Sequence, residues 1–304
     1  MKTIFFLFSL FFFSAVCAQK GNELLVYSLK GNVTVIENNS ETRLKIGKVL
    51  KPGSVVKTQR EAKLTMVCKE GKPISVTEEG SYPVVTWKDS CLTTQNSMSS
   101  KFFQYVWDQL YVRSDEYKRE HPGGLGSVEN IGAPVRGQED LEILFSADLD
   151  TINYSSGNFP LSWSVNLDYP GKYYFVLFPA KGGKPLYKDS ISGTTLPLDK
   201  LKKYMKPGTS YGWSLATQKT SVENGGIIKY VTLTTVARHI VKLQKAVNVP
   251  EDDGAQYFRI AYLLQKSHYP ADAFIYYQKA VKASPEVDFY REKLEEFKMN
   301  FQVN

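Results

Sequence analysis

The spacing of its apolar residues constrains this chain most. Over two long stretches they alternate with polar ones, the period of two that gives a strand one buried face. Toward the end the spacing becomes threes and fours, the period of a helix with one apolar side. From Leu24 to about Asp89, Val33-Thr34-Val35 alternates after Gly31, and Val55, Val56, Leu64, Met66, Ile74 and Val76 fall in short runs. Gly47, Pro52-Gly53, Gly71 and Gly80 punctuate these runs as turns. From about Glu139 to Val236, Leu161–Val165 and Tyr211–Leu215 alternate, Tyr173–Phe178 is a short apolar and aromatic run, and Ile227–Val236 closes the region. The pattern predicts a multidomain, mainly β protein: two small β-domains followed by a C-terminal α-helical hairpin repeat.

The ends and the joints set the boundaries. Lys2, an apolar run from Ile4 to Val16 rich in Phe, and Val16-Cys17-Ala18 read as a signal peptide over residues 1–18, cleaved after Ala18 to leave Gln19 first. An uncleaved anchor or a buried strand is the alternative, and Cys17 near the cleavage point also admits a lipoprotein. A first β-domain is expected over 22–96, a helix and linker over 97–138, a β-sandwich over 139–237 and a helical domain over 238–304. Ser99 and Ser100 can cap a helix running to about Val112, with Phe103, Val106 and Leu110 as its apolar stripe and Phe102, Trp107 and Tyr111 beside it. Pro122-Gly123-Gly124, Gly126, Gly132 and Pro134 mark the linker. In the C-terminal region Asp252 or Asp253 can cap a first helix, and Pro270 fits the first turn of a second.

Export and cysteine usage agree. Of three cysteines, cleavage removes Cys17 and leaves Cys68 and Cys91. An even pair in an oxidising compartment predicts one disulfide, two free buried thiols being the alternative. Loss of Lys2 with the leader lowers the formal charge from +7 to +6, an excess that suits anionic envelope polymers or lipid headgroups better than nucleic acid. No later segment is long and apolar enough to cross a bilayer.

Three resemblances follow from particular residues. Gly31-x-Val33-x-Val35, Gly47-x-x-Leu50-x-x-Gly53-x-x-Val56-Lys57-Thr58, Ala62-x-Leu64-x-Met66 and Gly71 resemble the FecR-type β-domain of bacterial envelope regulators over residues 24–85. Many such regulators carry a cytoplasmic segment and a membrane helix first; here the domain follows the leader almost directly, which departs from the arrangement that reaches a cytoplasmic sigma factor. Met205-x-Pro207-Gly208-Thr209-x-Tyr211 resembles the corner of fibronectin type III sandwiches, which implies that the Tyr211 hydroxyl bonds back across the turn and that Trp163 is a core tryptophan. Tyr257, Ile260-Ala261, Leu264, Ala273, Tyr277, Ala280 and Pro285 resemble one tetratricopeptide repeat. That resemblance implies a ligand-facing side formed by Phe258, Tyr262, Gln265 and Lys266. A single copy needs a neighbour, either the sandwich and a third helix carrying Tyr290, Leu294, Phe297 and Phe301, or a partner.

Catalytic patterns are sparse. Gly208-Thr209-Ser210-Tyr211-Gly212 satisfies G-x-S-x-G, but it runs into an alternating strand rather than a helix. A triad of Ser210, Asp252 and His268 would draw its acid and base from a separate helical segment. His121, His239 and His268 have no zinc-ligand spacing. Lys200, Lys202, Lys203 and Lys206 form the densest basic cluster, read as a solvated turn. The expectation is a non-enzymatic envelope adaptor, periplasmic, outer-membrane-associated or extracellular, that contacts a glycan, a wall polymer or a protein, with no cofactor and no metal. A periplasmic sensory component of a FecR-type system and a hydrolase using Ser210 are the alternatives.

Overall fold

The computed structural model describes residues 23–91, 97–120, 141–218 and 220–303. The expected signal peptide and the Gly/Pro-rich linker with His121 lie outside the described residues. β-sheet domains come first and packed helices last.

The first domain contains β1 (Leu24–Lys30), β2 (Val33–Glu37), β3 (Ser40–Arg43), β4 (Val49–Leu50), β5 (Val55–Thr58), β6 (Lys63–Cys68), β7 (Pro73–Val76) and β8 (Gly80–Pro83). They form two four-stranded sheets, β4-β1-β6-β7 and β3-β2-β5-β8. Val26, Leu64 and Met66 from one sheet and Val33, Val35 and Val56 from the other fill the space between them. The first sheet is buried on its other face as well. Leu25, Tyr27 and Val67 alternate with those inward residues and belong to the main core of the molecule. That double burial explains why Leu24–Tyr27 and Leu64–Cys68 are nearly continuous apolar runs.

A 3-10 segment, Val84–Cys91, brings Cys91 back to β6, where it forms a disulfide with Cys68, Cα atoms 5.7 Å apart. The bridge closes a loop with a sequence separation of 23. Removing it by substituting both cysteines with Ser should cost about 3 kcal/mol. Chemical denaturation measures the loss, and non-reducing peptide mapping of the folded protein kept under oxidising conditions should recover the Cys68–Cys91 pair; two alkylatable thiols there would refute the bridge.

Helix α1 (Met98–Tyr111) lies against the outer face of that sheet. Its cap is Ser97, two residues before the expected Ser99: the Ser97 hydroxyl accepts from Ser100 N at 3.0 Å, while Ser100 Oγ accepts from Ser97 N at 2.9 Å. Gly71, at φ +80°, lets the β6–β7 turn touch the Ser100 carbonyl, a position where a Cβ would overlap backbone. A short α2 (Asp115–Glu120) follows, where the sequence reads as linker.

The second domain has β9 (Ile143–Leu144), β10 (Thr151–Tyr154), β11 (Pro160–Ser162), β12 (Ser164–Val165), β13 (Tyr173–Pro179), β14 (Tyr187–Ile191), β15 (Thr195–Pro197), β16 (Thr209–Ala216) and β17 (Glu223–Tyr230). A five-stranded sheet runs β10-β17-β16-β13-β14, with the pairs β11-β15 and β9-β12 beside it. β10 is parallel to β17. This departs from the all-antiparallel sandwich that the corner motif implies. Trp163, Tyr173, Phe175 and Trp213 are buried in the core.

β17 ends at Tyr230, and Thr232 caps α3 (Leu233–Lys245), so Val236 belongs to a helix rather than to a closing strand. Its Val236 and Leu243 point inward seven residues apart, a helical spacing that the β-branched run at 227–236 obscures. α4 (Asp253–Lys266), α5 (Pro270–Ala283) and α6 (Asp288–Phe301) complete the chain. Asp252 caps α4 and Pro270 opens α5. Ala261, Ala273 and Ala280 are fully buried where α4 and α5 approach.

Candidate partner-binding site

The face expected to await a ligand is built from one side of α4. Phe258, Tyr262, Gln265 and Lys266 recur at helical spacing, and the structure does bring them together. It also fills the face from within the chain. Phe102 of α1 sits 6.2 Å from the Phe258 ring and 5.4 Å from that of Tyr262, and Tyr105 stacks on Tyr262 at 4.5 Å. From the other side Phe289 and Tyr290 of α6 approach Phe258 at 4.9 and 5.0 Å. Phe258 is 0% exposed and cannot anchor a partner. Gln265 is also engaged, donating to Asp148 Oδ2 at 3.1 Å and accepting from Tyr277 Oη at 2.9 Å. Lys266 is exposed, its Nζ 5.7 Å from the Tyr262 ring. The physical reason for the difference is α1: its Phe102, Phe103, Val106, Trp107 and Leu110 are all buried, so it has apolar surface for the β-sheet on one side and α4 on the other.

At the same junction lies a polar network that sequence reasoning missed. Arg259 of α4 makes a bidentate pair with Glu251, Nη2 to Oε2 at 2.7 Å and Nε to Oε1 at 2.8 Å, both side chains nearly inaccessible. Arg259 Nη1 donates to the Leu243 carbonyl at 2.9 Å. Tyr27 of β1 donates to Glu251 Oε1 at 2.8 Å, with the Ala255 carbonyl 3.0 Å away. Burial, and then the Glu251 charge, push the Tyr27 hydroxyl well above its usual pKa, so it stays a donor. Burial works against the Arg259 charge, but the bonds and charge of Glu251 outweigh it and the net shift is upward. Next to this, Ser28 Oγ donates to Asp252 Oδ2 at 2.7 Å and accepts from Asp252 N at 2.8 Å. The signal was present in the sequence: Arg259 sits between Phe258 and Ile260, and a cation inside an apolar stripe needs a buried acid.

The second domain is tied to the same helices. Asn153 N donates to the His268 carbonyl at 2.7 Å, Gln302 Nε2 donates to the Trp163 carbonyl at 2.9 Å, and Phe159 packs on Phe301 at 5.5 Å.

The corner residues Pro207, Gly208, Thr209 and Tyr211 lead into β16, and Tyr211 Oη accepts from Lys206 N at 2.6 Å. Ser210 lies in that strand opposite Lys229, with no helix after it. Asp252 is committed to Ser28 and to Ala255 N, and His268 sits exposed at φ +62° in the α4–α5 turn. None of the three residues hydrogen-bonds another in the described structure, and no nucleophile elbow forms. Tyr211→Phe should therefore lower stability by about 1 kcal/mol through the lost bond, while Ser210→Ala should leave unfolding unchanged. Denaturant melts of the two variants check this, and equal effects would contradict it.

His239 stacks on Tyr269 at 4.8 Å, and burial lowers its pKa. Among the described residues no group of three His, Cys, Asp or Glu side chains is placed to hold a metal, and no helix is long and apolar enough to cross a membrane. A cleft of about 350 Å³ opens where the β6–β7 turn, the start of α1 and the α3–α4 connection meet, with Lys72, Ser99, Phe103 and Asn248 among its walls. No protein-family model matches the chain, and no curated protein matches it significantly.

Proposed function

We propose that this protein is a non-enzymatic adaptor of the bacterial cell envelope, exported by its N-terminal leader, that holds two β-domains at a fixed spacing for a glycan, wall-polymer or protein partner. The observation that carries this reading is the common platform. β1 of the first domain bonds to residues 251–255, and the second domain bonds to His268 and Gln302 of the same helical unit. A platform that fixes two modules needs no chemistry of its own. Its inner aromatic face is spent on α1, which leaves the exposed surfaces of the β-domains for partners. The FecR-like, fibronectin-like and tetratricopeptide-like residue patterns support the same reading, since all three belong to binding modules.

The test is intact-cell photo-crosslinking from Thr42 in β3 and Ser190 in β14, two exposed edge-strand positions. Capture of a common envelope neighbour from both positions is expected. A serine-reactive probe that labels Ser210, with a hydrolysis lost in Ser210→Ala, would replace the adaptor by an enzyme.

A further inference from the structure

Among the described residues, helix α3 presents a second, exposed face. Val236 and Leu243 hold it to the body, each 4% exposed. On another side Leu233, Ala237 and Val241 recur every four residues, which places them in one line along the helix. Leu233 is 66% and Val241 45% exposed, and Ala237 is exposed as well. Next to that line stand Arg238, Lys242 and Lys245, all exposed. The helix contains no Asp or Glu.

The positive charge continues past the helix start. Gly208 N donates to the Tyr230 carbonyl at 2.6 Å, three residues before Leu233, which sets the corner beside the entry to α3. Exposed Lys202, Lys203 and Lys206 precede that corner, and exposed Lys229 lies on β17. Asp199 is the one acid in the 3-10 segment Leu198–Tyr204.

We infer that α3 is an interfacial docking helix that seats this protein on an anionic phospholipid surface. The line of Leu, Ala and Val would enter the headgroup boundary, and the neighbouring Arg and Lys side chains would reach the lipid phosphates. Charge complementarity selects this occupant: an apolar line beside a run of cations, on a helix without acids, matches an anionic bilayer. The inference rests on the envelope reading for the presence of such a membrane, but it concerns a different surface from the β-domain edges.

Purified mature protein sedimented with vesicles of phosphatidylcholine and about one-third phosphatidylglycerol tests it apart from any crosslinked neighbour. Binding is expected to these vesicles and not to pure phosphatidylcholine. L233S/V241S and R238Q/K242Q/K245Q should each weaken it at least about tenfold. Because all five side chains are exposed, both variants should melt like the parent. An environment-sensitive dye on A237C, read in the otherwise unchanged protein, should shift to the blue when the anionic vesicles are added. No sedimentation with anionic vesicles overturns the inference. So does a loss confined to the charge variant, which would describe a soluble polyanion site, and so does a dimer in light scattering that L233S/V241S abolishes, which would mean a second copy covers the face. In each of these cases the crosslinking result for the β-domains stands.

Discussion

Arg259→Met is expected to lower unfolding stability by about 3–5 kcal/mol, the cost of leaving a buried charge without its partner. The change keeps most of the side-chain volume but strands the Glu251 carboxylate, which is 2% exposed and would retain only the Tyr27 hydroxyl as a donor among its described partners. The Leu243 carbonyl also loses the Nη1 donor. Replacing both members, Arg259→Met with Glu251→Leu, should recover a large part of the loss, because a buried ion pair contributes little relative to apolar side chains of similar size. Tyr27 keeps the Ala255 carbonyl within reach in the double variant. Urea melts of the two single variants and the pair measure the coupling. A single variant within about 0.5 kcal/mol of the parent would show that the guanidinium is not confined as described.

Phe258→Ala should cost a similar amount, about 3–5 kcal/mol. The ring is enclosed by Phe102, Tyr277, Phe289 and Tyr290, so truncation leaves a cavity bounded by three helices. Tyr262→Ala removes a half-buried ring stacked on Tyr105 and should cost about 1 kcal/mol. The contrast between two neighbours on one helix face decides what that face does. A Phe258→Ala protein that melts like the parent would mean that α1 leaves the groove in solution.

The elements that follow a single burial rule were legible in the sequence. A strand with one buried face, such as β2, shows alternation, and α6 shows Tyr290, Leu294, Phe297 and Phe301 in helical register. Asp252, Pro270 and the paired cysteines announce themselves through local chemistry. The site was harder to read because its decisive contacts are between distant segments. Nothing near Phe258 reveals that α1 will cover it. The surplus of aromatics on α1 was the available signal: five large buried side chains are more than one stripe holds, and they require two neighbours. Tyr27 was equally ambiguous, since an apolar run of four residues does not show which of them faces a second layer. The helical character of α3 was hidden by β-branched residues that suit a strand, until Thr232 interrupts them as a cap.

The bond from Tyr27 to Glu251 joins residues 224 positions apart, which imposes an order of events on a chain that emerges N-terminus first. The first β-sandwich can close its own interior and its disulfide early, since those contacts lie within residues 24–91. Its outer face, with Leu25, Tyr27 and Val67, has no complete cover until α4 has emerged. Throughout that interval the nascent protein carries an unshielded apolar sheet, the kind of surface on which chaperones act and from which aggregation starts. A chain stopped before Glu251 would keep that surface permanently, so truncation near the C-terminus should be sensed at the far N-terminal strand, as sensitivity to proteases and to hydrophobic dyes.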